Sequence, residues 1–254
     1  MTTISPNTTI LDRLSNPKRP LSIRVRQSLR YTAANKPTMW HLSNRLRGTL
    51  SGSVTSKSDL VCEGFPRSGN SFAEAALHLC RPGLTLAHHR HVAAQVLSGL
   101  KIGVPVLVLI RDPLEAVSSA ILRLDGRADP AWLIAEWLQF HTAIKPHLDQ
   151  IVLSDFPVTT GNFETVLAAL NSRYGLGLTP PADLASAAYA EITRISQQRG
   201  SPTLNYGTQI SAEDKARRTA TLQAIREVLI HSYGLQLQRA QALYERVVAT
   251  GLAP

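Results

Sequence analysis

Apolar residues recur along this chain in two rhythms, and the switching between them predicts the fold class. Val106-Leu107-Val108-Leu109-Ile110 is a continuous, β-branched-rich run. That is the pattern of a strand covered on both faces in a parallel sheet. Leu60-Val61-Cys62-Glu63-Gly64-Phe65 is a second short strand, and Pro66-Arg67-Ser68-Gly69-Asn70 turns the chain after it. Phe72, Ala75, Ala76 and Leu79 then repeat at helical spacing. Strand, polar glycine turn and helix make the first half of a βαβ unit. The pattern continues with a short strand over 84–87, a helix over 92–100 and the strand over 105–110. Pro113 and Glu115 suit the first turn of a helix over 114–124.

Further on, residues 130–148 read as one helix with Trp132, Ile134, Trp137, Phe140 and Ile144 on its apolar side. His141 and His147 are expected to face solvent there. Residues 151–153 and 158–160 are strand candidates. Helices are predicted over 162–174 (closed by Gly175), 184–198, 212–229 (with Ser211 as N-cap) and 235–250. Alternating strands and helices predict an α/β domain over 58–254, a three-layer sandwich around a central, mostly parallel sheet. Residues 1–57 form a basic N-terminal extension, mobile or laid over the core. It holds a possible short basic helix over 22–31 and ends in a Ser/Thr/Gly linker over 51–58.

Composition narrows the function. The longest apolar run, 104–110, is seven residues, too short to cross a bilayer, so no transmembrane segment is expected. A hydrophobic content of 44% excludes a disordered chain. Twenty-seven Lys+Arg against 18 Asp+Glu give a net charge of +9, which favours anionic partners without choosing among them. Two cysteines, Cys62 and Cys80, cannot make a disulfide framework. With no secretory h-region at the start, a cytoplasmic location is the expectation. An organelle transit peptide is the lesser alternative.

Two segments carry candidate chemistry. A turn between a parallel strand and a helix points backbone N–H groups outward at the positive end of the helix dipole, which makes an anion site. Gly69 permits close approach of the backbone. Ser68, Asn70 and Ser71 add neutral donors, and Arg67 adds a fixed cation. The turn lacks the Gly-Lys-Ser/Thr of a nucleotide triphosphatase loop, which places a γ-phosphate and magnesium. The alternative is an ordinary βα turn. In the second segment Arg111 stands at the carboxyl end of the buried strand, where open α/β sheets bind ligands. Ser119 lies eight residues on, placed to share one phosphate with it. The alternative is a strand-end ion pair to Asp112 or another carboxylate.

Together the segments resemble the P-loop sulfotransferases that use 3′-phosphoadenosine 5′-phosphosulfate. Pro66 to Phe72 matches the family's Pro-Lys/Arg-Ser-Gly-Thr/Asn-Thr/Ser-Trp/Phe turn, with Arg67 where Lys is usual. Arg111 and Ser119 match its 3′-phosphate pair, with Asp112-Pro113 between them. The resemblance covers roughly residues 60–229. It implies a P-loop NTPase-like fold and a donor held by Arg67, Ser68, Gly69, Asn70, Ser71, Phe72, Arg111 and Ser119. A looser third match around Arg199-Gly200-Ser201 implies Arg199 as a further 3′-phosphate contact, although the family's Lys and Gly are not matched in place.

The family's general base is a His a little over twenty residues before the strand-end Arg. His89 stands 22 before Arg111 and takes that role, with His91 second. Arg67 would stabilise the leaving group by charge alone, since arginine does not give up a proton. The resemblance thus implies an enzyme moving a sulfuryl group to a hydroxyl or amine of a small molecule, glycan or lipid. Adenosine 3′,5′-bisphosphate is the product and no metal is required. For His88, His89 and His91 a zinc reading is set aside because no acidic or Cys ligand stands at metal spacing. Two other readings stay open: an ATP-using P-loop kinase, and a non-catalytic module binding nucleic acid or another anion. No nucleic-acid motif supports the last.

Overall fold

Strands β1 (Leu60–Gly64), β2 (Leu86–His88), β3 (Val106–Ile110) and β4 (Val152–Asp155) form one sheet in the order β2-β1-β3-β4, every pair parallel. This is seen in a computed structural model that describes residues 6–15, 34–46, 52–198 and 211–251. Parallel neighbours cannot be joined by tight hairpins, so each connection crosses a face of the sheet as a helix. Alternate strand residues therefore meet different helices. Val61, Val106, Val108 and Ile110 pack with α1 (Pro6–Ser15), α4 (Ala93–Lys101), α5 (Pro113–Arg123), α6 (Pro130–Ile144) and α10 (Ala212–Gly251). Leu60, Cys62, Leu107 and Leu109 pack with α3 (Asn70–Cys80), α8 (Phe163–Tyr174) and α9 (Leu184–Gln198). Burial on both faces is what the unbroken apolar run of β3 anticipates.

Two elements of the N-terminal segment lie against this core. In α1, Ile10 and Leu14 are buried in the first cluster and Arg13 pairs with Asp125. Helix α2 (Pro37–Leu46) brings Trp40 onto Val92 and Ala94. The basic helix expected over 22–31 and the loop holding Arg199 lie outside the described residues. No helix among the described residues is long and apolar enough to cross a membrane.

Three expectations are corrected. Residues 158–160 are helical, within α7 (Phe156–Gly161), not a strand. Asp155 accepts the Phe156 N–H at 2.7 Å and Pro157 occupies the first turn, so helix-start chemistry outweighs three β-branched residues. The helix over 130–148 ends at Ile144 and tightens into a 3₁₀ segment, Lys145–Gln150, because Pro146 lacks the N–H and crowds the preceding turn. His141 is fully buried, not solvent-facing: it continues the buried stripe of Leu133, Ile134, Trp137, Phe140 and Ile144. Burial pushes its pKa down to about 3, against a hydrogen bond from Nδ1–H to the Trp137 carbonyl, so it stays neutral. The expected division of the C-terminal segment into two helices holds: α10 (Ala212–Gly251) is broken by non-helical backbone at Tyr233, beside Gly234.

The strand order reverses between β1 and β3, since the chain moves outward to β2 and then crosses back. The carboxyl ends of these two strands therefore border the switch-point crevice of the sheet. Gly64 closes β1 there, and a β-carbon on it would lie 2.4 Å from the Leu109 carbonyl oxygen of β3. Only glycine lets the two strands stay paired to their ends. Gly64→Ala is expected to cost about 1–3 kcal/mol or more of unfolding free energy, as overpacking does. A denaturant titration of the variant checks this, and an unchanged midpoint contradicts it.

Candidate functional site

The turn after β1 is held open from within. Ser68 N–H returns to the Phe65 carbonyl (3.2 Å) and Asn70 Nδ2 donates to the same oxygen (3.1 Å). Gly69 is the N-cap of α3 in a left-handed conformation (φ 95°) and brings no capping side chain. The helix's backbone ladder starts only with Ala73 N–H to the Gly69 carbonyl (3.0 Å). The N–H groups of Asn70, Ser71 and Phe72 therefore precede that ladder at the positive end of the helix. Ser68 is fully buried behind the turn, and its Oγ and the Asn70 Oδ1 find no protein partner among the described residues.

The turn after β3 locks onto it. Arg111 donates from Nη1 to the Arg67 carbonyl (3.0 Å), lies over the Phe156 ring (4.0 Å) and approaches Glu115 (3.5 Å). Glu115 is shared with Arg226 of α10 (2.8 Å). The strand-end ion pair is thus made with Glu115; Asp112 instead caps α5 by accepting the Glu115 N–H (3.1 Å). Trp137 Nε1–H donates to the Arg111 carbonyl (3.2 Å), and its ring is buried core. Ser119 is 5% exposed and accepts from Arg67 Nε (3.0 Å). Arg67, Arg111 and Ser119 are therefore in one network, with Ser119 behind Arg67 and not on the open surface.

A third loop, after β2, completes the site. Glu63 of β1 is fully buried on the α4 side and accepts both the Arg90 and His91 N–H groups (2.8 and 2.9 Å). His91 Nδ1–H donates to the Gly64 carbonyl (2.8 Å). His89 Nε2–H donates to Glu74 Oε2 (2.7 Å), and His88 Nδ1 lies 3.6 Å from the other carboxylate oxygen. Burial raises the Glu74 pKa, yet the hydrogen bond from His89 and the charges of His88, His89 and His78 together leave it below the ordinary value.

These three loops surround one cavity of about 350 Å³, within the range of small-molecule sites. Its lining includes Arg67, Arg111, Arg123, His89 and His91 and, among the described residues, no carboxylate, with Phe72, Phe156 and Tyr189 as apolar walls. Of four non-glycine residues at positive φ among the described residues, three line it: Arg67 (73°), His89 (58°) and His91 (55°). Each such conformation costs on the order of 1–3 kcal/mol and persists where surrounding bonds over-determine it. Gly69, Asn70, Ser71 and Phe72 also line the cavity; Ser68 and Ser119 support it from behind.

Sequence reasoning missed Arg123, Glu63, Glu74 and the α9 wall. Arg123 stands one helical turn after Ser119, and that spacing was readable. Tyr189 packs edge-on to Phe72 (5.1 Å) across more than a hundred residues of chain, and no local signal marks it. No family model, curated protein or solved structure matches this chain.

Glu63 gives the loop a pH signature. Burial pushes its pKa from 4.5 to about 7, against the N–H donors of Arg90 and His91, the charge of His89 and Gln95. The folded protein then holds a proton that the unfolded chain releases earlier. Glu63's contribution to stability is complete below about pH 4.5 and is lost as pH rises through 7. Relative to Glu63→Gln, the parent should lose about 3 kcal/mol between pH 4.5 and 8, read from unfolding midpoints. A difference between the two proteins that does not change with pH contradicts this.

Proposed function

We propose that this chain is a sulfotransferase that moves a sulfuryl group from 3′-phosphoadenosine 5′-phosphosulfate to a hydroxyl or amine acceptor. The observation that carries the reading is the cavity at the β1/β3 switch point, where the described residues bring three arginines, two histidines and an uncapped helix N-terminus without one carboxylate. Such a surface favours a multiply charged anion. Its lining includes the Pro66–Phe72 turn and Arg111, the segments that resemble the sulfotransferase motifs. The P-loop NTPase-like fold and Arg199's role as a 3′-phosphate contact belong to the same proposal.

The donor supplies an activated sulfuryl group; the chain supplies position, charge and a base. Arg67 and the N–H groups of Asn70, Ser71 and Phe72 balance the negative charge that grows on the 5′-phosphate oxygen as its bond to sulfur breaks. Arg111 holds the 3′-phosphate, and Ser119 fixes the Arg67 side chain. His89 takes the acceptor's proton as the new bond to sulfur forms. With Nε2–H donated to Glu74, Nδ1 is the nitrogen left with a lone pair for that proton. Glu74 thus positions the ring without touching the reactants. Proximity of the reacting groups does the remainder, as in phosphoryl transfer.

A transfer assay with the labelled donor and a panel of hydroxyl and amine acceptors tests the reading. Arg67→Ala should lower turnover by about 10²–10³-fold. His89→Ala should lower it by about 10²–10⁴-fold with nucleotide affinity nearly intact. Loss of nucleotide affinity in His89→Ala equal to the loss of turnover refutes its role. Arg111→Ala should narrow the preference for adenosine 3′,5′-bisphosphate over AMP by about 10–100-fold, the worth of a charged hydrogen bond. An unaltered preference in that variant removes Arg111 from the 3′-phosphate.

A further inference from the structure

Two consecutive residues at a strand end ordinarily send their side chains to opposite sides. His88 and His89 do not. The left-handed conformation of His89 (φ 58°) swings its ring back, and the two ring centroids lie 4.9 Å apart, edge to face. Both rings then meet one carboxylate, Glu74, from the second turn of α3. His89 Nε2 lies 2.7 Å from one oxygen and His88 Nδ1 3.6 Å from the other. One ligand atom from each of the three residues lies within 4.8 Å of the others. In a tetrahedral site with bonds of about 2.0–2.1 Å, ligand atoms stand about 3.3 Å apart. A contraction of about 1.5 Å at the widest pair is within the reach of side-chain rotation.

We propose that Glu74, His88 and His89 form a binding site for a zinc-class divalent ion at the wall of the cavity, and that the bound ion withdraws His89 from proton abstraction. Two imidazoles and one carboxylate suit zinc, cobalt or nickel, whereas magnesium and calcium want oxygen ligands alone. Three protein ligands leave a fourth position open. His89 lines the cavity, so the ion borders the space where an acceptor would lie. His78, one turn beyond Glu74 on α3, and His91, whose ring centroid is 5.6 Å from that of His89, surround the cluster with further imidazoles.

The consequence for the base follows from proton counting. A neutral imidazole carries one N–H. With the ion on Nε2, that proton must reside on Nδ1, the nitrogen that otherwise accepts from the acceptor. No proton is created or lost; the ring simply has no lone pair left for the reaction. The ion site rests on geometry alone, and only its inhibitory consequence rests on the sulfuryl-transfer reading.

The experiment titrates tag-free full-length chain with zinc chloride by calorimetry, with magnesium chloride as control. One saturable zinc site is expected, and none for magnesium. Glu74→Gln and His88→Ala should each weaken zinc by at least about 10–100-fold, the cost of losing even an outer-shell partner. His231→Ala, an exposed histidine on α10, should leave it unchanged. Cobalt should give the intense visible absorption of a four-coordinate ion in the parent and lose it in Glu74→Gln, the near-isosteric change that best keeps the fold. Absence of saturable zinc binding, or equal binding in Glu74→Gln, overturns the site. In the transfer assay, zinc should inhibit and a chelator should restore activity; full activity with zinc bound overturns the switching role. A chain inactive with and without zinc defeats the proposed function, while the calorimetry still decides the ion site.

Discussion

Arg111 reaches back from the end of β3 to the carbonyl of Arg67 in the turn after β1 (3.0 Å), and much of the site depends on that bond. The turn it fastens is strained: Arg67 sits at a φ of 73°, under the Ser68 N–H to Phe65 carbonyl bond that closes the turn, and Arg111 secures it from outside. Arg111 can hold it because Arg111 is itself held, by the Phe156 ring, by Glu115 and, through its own carbonyl, by Trp137 in the core. Rigidity passes from the buried sheet to the cavity wall along this chain of contacts. Two cationic loops are thereby kept close despite their mutual repulsion, with Arg67 and Arg111 both lining the cavity.

A second anchor serves the third loop. Glu63 is a carboxylate inside the sheet, facing the helix layer, where an apolar residue would be expected. Its two oxygens take the N–H groups of Arg90 and His91, and this bends the chain so that His89 and His91 adopt left-handed conformations. A buried carboxylate without such donors would be costly. Here the loop offsets only part of the burial, and Glu63 in turn dictates the loop. The His89 ring is then directed by Glu74 from α3, the same helix whose N-terminus faces the cavity. Glu74, the partner of His89, and the uncapped helix N-terminus thus share one rigid element.

Much of this was legible in the sequence because the signals are local. The unbroken run of β3, the glycine turn after β1 and the Asp112-Pro113 helix start each declare their structure within a few residues. The parallel sheet and the meeting of Arg67 with Arg111 follow from them through the switch-point rule. His141 was also readable: it lies four residues after Trp137 on the stripe that runs to Ile144, and its polarity obscured the periodicity. What was not legible depends on pairings across the chain. Glu74 carries no mark of its meeting with His88 and His89 until α3 is laid beside β2. Tyr189 reaches the cavity only because α9 packs on α3. In α7, a proline and an aspartate cap outweighed β-branched residues, a competition between two valid local signals.

The central claim is that the cavity between β1 and β3 grips both phosphates of an adenine nucleotide. Calorimetric titration of the chain with adenosine 3′,5′-bisphosphate, AMP and ATP, each with and without magnesium, tests it most directly. The account predicts one site that prefers the 3′,5′-bisphosphate over AMP by at least about tenfold, the worth of a single charged hydrogen bond, with no help from magnesium. Tighter binding of ATP that requires magnesium, or equal binding of AMP and the bisphosphate, would contradict it.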